Sequence, residues 1–286
     1  MEVYEVNIPS YCNSITYING KFIAVIDNIK KIIYSEDGVT WIAQDLPENE
    51  HGTKSRIIYG AGKYVLELDE NALFYSEDLI TWKKKDILVS STIGLSYITF
   101  GNGKFIAYSP NNMHVYYSED IITWNDSGFV IEYGANLRNI VYYNGKFIIF
   151  CFNKIKYSED GITWSESIIP VTGKWDICAY SNEKIITLDC DNGVNIIYSN
   201  DGVTWNTSTI PNAFKYCRGI AYGNEKFIII NNNNVVYSKD GITWKTVTTN
   251  FSKKYFRLVA YGNNKFVFAN TSYEKLAYSN GEISTV

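Results

Sequence analysis

The chain has 286 residues, 46% hydrophobic and 20% charged, which is enough apolar side chain for a large core and excludes a disordered polypeptide. A net charge of −4 excludes nucleic-acid binding through bulk positive charge, and no run of about 18 apolar residues is present to form a membrane-spanning helix. Aromatic residues reach 16%, a bias toward strands, where rings pack on a pleated, half-buried surface.

The first ten residues, MEVYEVNIPS, lack the basic region and apolar core of a secretory signal. The expectation is cytoplasmic synthesis, after which the protein either stays in the cytoplasm or joins a virion or surface particle by lysis or assembly. Residues 13–26 then read as a hairpin. Strand A covers Ile15–Tyr17, Asn19-Gly20 is a two-residue turn, and strand B runs Lys21–Ile26. Both central residues of a type I′ turn need positive φ, which Asn and Gly tolerate. Strand C ends at Tyr34-Ser35, a Glu-Asp-Gly turn follows, and strand D opens at Thr40-Trp41.

This unit recurs along the whole chain. The C–D turn reads YSEDGVTW (34–41), YSEDLITW (75–82), YSEDIITW (117–124), YSEDGITW (157–164), YSNDGVTW (198–205) and YSKDGITW (237–244), with a decayed copy, YSNGEIST, from Tyr278. The tyrosines are spaced by 41, 42, 40, 41, 39 and 41 residues. In phase with them, the A–B hairpin places Lys21, Lys63, Lys104, Lys146, Lys184, Lys226 and Lys265 after its turn. Two independent patterns each count seven. Seven units of about 40 residues, each a four-stranded antiparallel sheet, specify a seven-bladed β-propeller, read as a single domain over residues 1–286. The repeated Trp and Tyr are expected between blades. Leu79 and Ile121 stand where other boxes have Gly, and the cost of positive φ there predicts a different local turn in blades 2 and 3. The last unit lacks a Trp-bearing strand D, and residues 2–9 resemble the end of strand D elsewhere. They are expected to close the ring by pairing beside residues 276–279.

The S-x-D-G-x-T-W boxes resemble the Asp-box, or BNR, repeats of sialidases and related propellers, in a variant one residue shorter between Asp and Gly. The resemblance covers nearly the whole chain and implies a seven-bladed propeller like those of bacterial and phage surface proteins. The box residues Asp37, Asp78, Asp120, Asp160, Asp201 and Asp240, with Trp41, Trp82, Trp124, Trp164, Trp205 and Trp244, are read as structural. An Asp side chain bonds backbone N–H groups two residues on, and six equivalent copies suit a scaffold, whereas a catalytic group is needed once.

The A–B and C–D turns fall on one face and are nearly uniform. The D–A and B–C connections fall on the other and vary, so that face is the candidate binding surface. Eight residues before each repeat lysine sit Asn13, Ser55, Ser96, Arg138, Asp176, Arg218 and Arg257, all polar. Three of the chain's four arginines are among them, and the fourth, Arg56, is one residue off. With Trp175, Tyr216 and Tyr255 beside them, they are expected to ring the channel mouth. Guanidinium groups grip carboxylate or phosphate with paired hydrogen bonds, so the mouth is read as a site for an anionic or sugar ligand. The alternative is a solvated channel with each arginine paired to an acid such as Asp176.

Other chemistries find less support. The Arg-Ile-Pro signature of sialidases is absent, and the arginines read RNI, RGI and RLV. A glycosidase needs two facing carboxyls, and spacing singles out none of Glu48, Glu50, Asp69, Glu70, Asp126, Glu132, Asp189 or Asp191. His51 and His114 read as lone loop residues. Asp189–Gly193 opens like a calcium loop, but Asn200 occupies position twelve, so a polar turn is preferred. Five cysteines with no CxxC pair (Cys12, Cys151, Cys178, Cys190, Cys217) read as buried thiols. No metal or cofactor is expected. The function read from the sequence is a non-catalytic recognition or assembly module for a glycan or protein partner, in a bacterial or phage surface setting. The alternatives are a protein scaffold inside a cell or particle and a glycoside hydrolase.

Overall fold

The computed structural model describes residues 1–26, 30–46, 56–67, 72–86, 94–189, 195–211, 214, 217–232, 234–252 and 255–280. Among them are 28 strands and no α-helix, arranged as seven four-stranded antiparallel sheets. The architecture is the seven-bladed β-propeller that the repeats specify. In blades 1–6 the four strands follow chain order. Blade 1 is typical, with strands Ser14–Ile18, Lys21–Ile26, Lys31–Ser35 and Ile42–Asp45. The chain forms two compact units. One comprises Met1–Asp45, Gly173–Asn200 and Asn206–Val286, and the other Leu46–Thr172 and Asp201–Trp205.

Blade 7 is built from both ends of the chain. The strand Tyr4–Asn7 pairs antiparallel with Lys275–Ser279, setting Tyr4 opposite Tyr278 and Asn7 opposite Lys275. The closure expected of residues 2–9 is present, with a regular strand over its central four residues. Its flanks are tied as well. The Met1 ammonium donates to the Thr248 carbonyl at 2.9 Å, the Val3 N–H to Asn250 Oδ1 at 2.9 Å, and the Ser252 N–H to Glu5 at 2.8 Å. Met1 and Val3 are buried in one cluster with Val247 and Phe256.

Strand B is the core of each blade. In blade 1, Phe22 to Ile26 are wholly buried on both faces, as expected of a strand covered by neighbouring sheets. The A–B turns have positive φ at both central residues, as at Asn19 (48°) and Gly20 (77°). Blade 5 departs from that expectation. Asn182 and Glu183 are not left-handed, because Ser181 caps its own turn: its N–H donates to the Lys184 carbonyl at 2.8 Å and its Oγ accepts the Lys184 N–H at 3.0 Å.

Blades meet through rings laid on bare backbone. A Cβ at Gly262 would lie 2.1 Å from the Tyr17 ring, and one at Gly101 2.0 Å from Tyr142, so only glycine admits the neighbouring aromatic. The box tryptophans fill the same interfaces. Trp124 packs with residues of blades 2 and 3, and Trp244 with residues of blades 5 and 6.

Candidate functional site

The box turns are held by their own side chains. In all six, one Asp oxygen accepts the N–H groups two and three residues on, at 2.7–2.8 Å. In five, the preceding Ser Oγ donates to that carboxylate at 2.8–3.0 Å. Hydrogen bonds to the ionised form stabilise it. The Thr40 and Val39 amides hold the Asp37 carboxyl at about 2, and the Thr81 and Ile80 amides do the same for Asp78. The Ile162 amide, against the opposing effect of burial, brings Asp160 to about 2. Burial pushes Asp240 up, but the Thr243 and Ile242 amides outweigh it and leave it below the usual range.

The different turn expected in blades 2 and 3 does not occur. Leu79 (φ 68°) and Ile121 (φ 65°) take the same left-handed conformation as the box glycines, with the same bond to Ser Oγ, at 2.9 and 2.8 Å. Both side chains are fully buried. Burying one contributes about 2–3 kcal/mol, which offsets the roughly 1–2 kcal/mol of strain.

The repeat lysines have a structural role that the sequence did not disclose. Lys104 Nζ donates to the Asp160 carbonyl at 3.2 Å, and Lys184 Nζ to that of Asp240 at 2.7 Å. The turn amides act alike, with Asn102 Nδ2 on the Glu159 carbonyl and Asn263 Nδ2 on that of Glu36. Each A–B hairpin so placed clamps the box of the following blade.

On the variable face, Ser55 and Tyr216 lie outside the described residues, as do Glu48, Glu50, His51, Asp69, Glu70, Cys190 and Asp191. Asn13 is exposed and its N–H extends the ladder to Val25. Ser96 is fully buried, so it lines no mouth. Trp175 also requires correction: it is 0% exposed and cannot present its ring to a ligand. A register shift between Trp175 and Ile177 is a bulge, which re-aims side chains across the sheet. It turns Trp175 inward and leaves Asp176 half-buried.

The arginines differ from one another. Arg138 is half-buried, its N–H donates to the Phe150 carbonyl at 2.8 Å, and its Nε has no acceptor among the described residues. Arg218 is exposed. Arg257 Nε donates to Asn232 Oδ1 at 2.8 Å, and its guanidinium lies 5.6 Å from the Tyr255 ring centre. Arg56 lies over Tyr97 in the same way, at 5.8 Å. Among the described residues none of the four forms an ion pair, so the acid-paired alternative finds no support there.

Two groupings escaped the sequence reading. Tyr273 stands beside Tyr255, ring centres 5.9 Å apart. On blade 4 the buried Lys156 reaches Glu166 at 2.6 Å and Glu132 at 3.3 Å, with Lys154 3.3 Å from both glutamates. Lys154 followed by Lys156 draws the Glu132 carboxyl down, and Lys156 first draws down that of Glu166. The signal was present in the repeats, since Lys156 occupies a position held elsewhere by Ile33, Tyr116, Ile197 or Val236. His114 is not a lone loop residue. It opens strand C of blade 3, and its Nδ1 lies 2.7 Å from Asp126. Of the thiols, Cys12, Cys151 and Cys217 are buried and Cys178 half-buried, and burial pushes Cys12 and Cys151 up to about 12. Asp189 is buried, and no cluster of three metal-ligating side chains occurs among the described residues.

No known family profile and no curated protein matches the chain. Solved structures do. Virginiamycin B lyase from Staphylococcus aureus aligns at TM-score 0.78 with 12% identity, over 96% of this chain and 98% of its own. YCF48 bound to D1 peptide aligns at 0.68 with 15% identity, over 99% and 97%. PorZ, a surface component of the type-IX secretion system of Porphyromonas gingivalis, aligns at 0.64 with 12% identity, over 99% of this chain and 39% of its own. The shared feature is the propeller fold. Fold at this identity does not transfer function.

Proposed function

We propose that this propeller is a non-catalytic recognition module that binds a glycan or protein partner through its variable-loop face. The observation that carries this reading is an asymmetry between the two kinds of connection. The box turns spend their polar groups on their own backbone, whereas Arg218 is exposed with no partner among the described residues and Arg257 is fixed by a neutral amide and an exposed ring. Loops on a rigid scaffold are where recognition resides. The peptide carried by YCF48 and the surface location of PorZ are in keeping with a binding role, and a bacterial or phage surface setting follows the Asp-box resemblance.

A second reading, a protein–protein scaffold, draws on Tyr133, in the connection between blades 3 and 4, and Ile168, in the last strand of blade 4, which are 92% and 90% exposed; such side chains serve as a contact surface where they belong to one apolar patch. The lyase neighbour keeps enzymatic activity in view, but the described carboxylates with displaced protonation are all displaced downward, away from what a general acid near neutral pH requires.

A glycan array, followed by calorimetry of wild type against an Arg218→Ala, Arg257→Ala variant, tests the proposal. Binding that falls at least about tenfold in the variant is the expected result. Equal binding that no other substitution on the variable face weakens, or no binding of any glycan or protein, overturns it. A stable protein complex without any glycan signal selects the scaffold, and turnover of chromogenic glycosides would make the protein an enzyme.

A further inference from the structure

The corner between blades 6 and 7 has more specific chemistry than a polar rim. Gly219 brings two backbones together there. A Cβ on it would lie 2.4 Å from the Arg257 carbonyl oxygen and 3.1 Å from Leu258 Cα, so the strand that Arg218 immediately precedes, Gly219–Gly223, abuts the strand Phe256–Gly262 that carries Arg257. Arg257 uses Nε on Asn232, which sets the plane of its guanidinium and leaves the terminal N–H groups uncommitted among the described residues. Arg218, the residue before Gly219, is exposed.

The ring next to them is held with evident constraint. Tyr255 has φ 77°, a conformation unfavourable for any residue with a side chain and found where surrounding structure imposes it, often at ligand clamps. The Thr271 N–H donates to the Tyr255 carbonyl at 3.1 Å and fixes that backbone. Tyr255 and Tyr273 are 38% and 45% exposed, with their planes tilted by 41°. Asn232 holds Arg257, Thr271 holds Tyr255, and Ser272 precedes Tyr273 in the chain, so amides and hydroxyls rather than aliphatic side chains adjoin the pair. That lining suits a ligand rich in hydroxyl groups better than the apolar anchor of a peptide.

We propose that this corner is a binding site for an acidic carbohydrate, with Arg218 and Arg257 gripping a carboxylate, phosphate or sulfate group and the sugar ring lying on Tyr255 and Tyr273. The proposal rests on the reading of the variable face as a recognition surface and adds the residues and the ligand class. Two guanidinium groups supply paired, charge-assisted donors to a planar or tetrahedral anion, and an amphipathic aromatic ring covers the apolar side of a sugar while its hydroxyl stays wet.

Calorimetry of the full chain with trigalacturonate, glucose 6-phosphate, maltotriose and penta-aspartate tests it, using wild type, Arg218→Gln and Tyr273→Ala, with thermal melts to confirm folding. One or both anionic sugars should bind, with maltotriose and penta-aspartate at least about tenfold weaker. Which sugar binds separates a carboxylate from an ester. Each substitution should weaken that binding by about tenfold or more. Failure of both anionic sugars, unchanged binding in either variant, or penta-aspartate binding as tightly as the sugars overturns the proposal. If a glycan or protein partner is retained by Arg218→Gln but lost on substitution elsewhere on the variable face, the recognition reading stands and this site falls.

Discussion

At the scale of single residues, the box aspartates link the fold to pH. Asp37, Asp78 and Asp160 sit at about 2 in the folded chain against an ordinary 3.8. A depressed folded value means that the unfolded chain takes up protons first as pH falls. The stability these groups supply is therefore complete above about pH 5 and is lost between about pH 4 and 2. Thermal melts followed by circular dichroism should show a midpoint that is flat from pH 7 to 5 and drops steeply below 4. A flat profile down to pH 2 would mean that the boxes are not holding the turns. The position after each Asp gives a second outcome. A Cβ at Gly161 would sit 2.3 Å from Ile106 Cδ1, at φ 77°, so Gly161→Ala combines overpacking with strain and should cost about 2–4 kcal/mol in urea unfolding. Ile121→Gly should cost about 1–3 kcal/mol, because relief of strain offsets part of the lost burial and of the cavity left behind. Adding Ile106→Val to Gly161→Ala should recover part of the loss.

At the scale of elements, the strand Tyr4–Asn7 covers an edge that would otherwise be open. Without it, Lys275–Ser279 presents unpaired N–H and C=O groups, a template for pairing with another chain. Deleting residues 1–7 should lower the urea midpoint and shift the protein toward oligomers in light scattering; an unchanged, monodisperse protein would show that the terminal strand is dispensable. Blade architecture was readable because two periodicities agree, one in the hairpin turns and one in the boxes. What escaped was decided between elements. Register alone places Trp175 at the rim, because the sequence of strand A carries no sign of its bulge, and a one-residue slip reverses which face a side chain occupies. Leu79 and Ile121 looked incompatible with a left-handed turn because sequence shows the strain but not the fully buried pocket that offsets it. Tyr273 sits in a connection of no set pattern, and only its approach to Tyr255 marks it.

At the scale of the whole molecule, the repeated positions are occupied by maintenance of the fold. Lysines, asparagines and aspartates on the turn side are bonded to backbone, and aromatic rings are seated on glycines. The candidate site was legible only as far as it broke the repeat. Arginine is rare in this chain, and three of its four copies share one register position. Their partners, Asn232 for Arg257 and the Tyr255–Tyr273 pair, come from connections where no two units agree.

Because blade 7 borrows one strand from the opposite end of the polypeptide, the unit that is copied along the gene is offset by a strand from the unit that packs. Inserting or removing one whole copy in the middle would leave the seam untouched. Lineages could thus gain or shed a sheet by duplication without having to invent a new way of joining the ends.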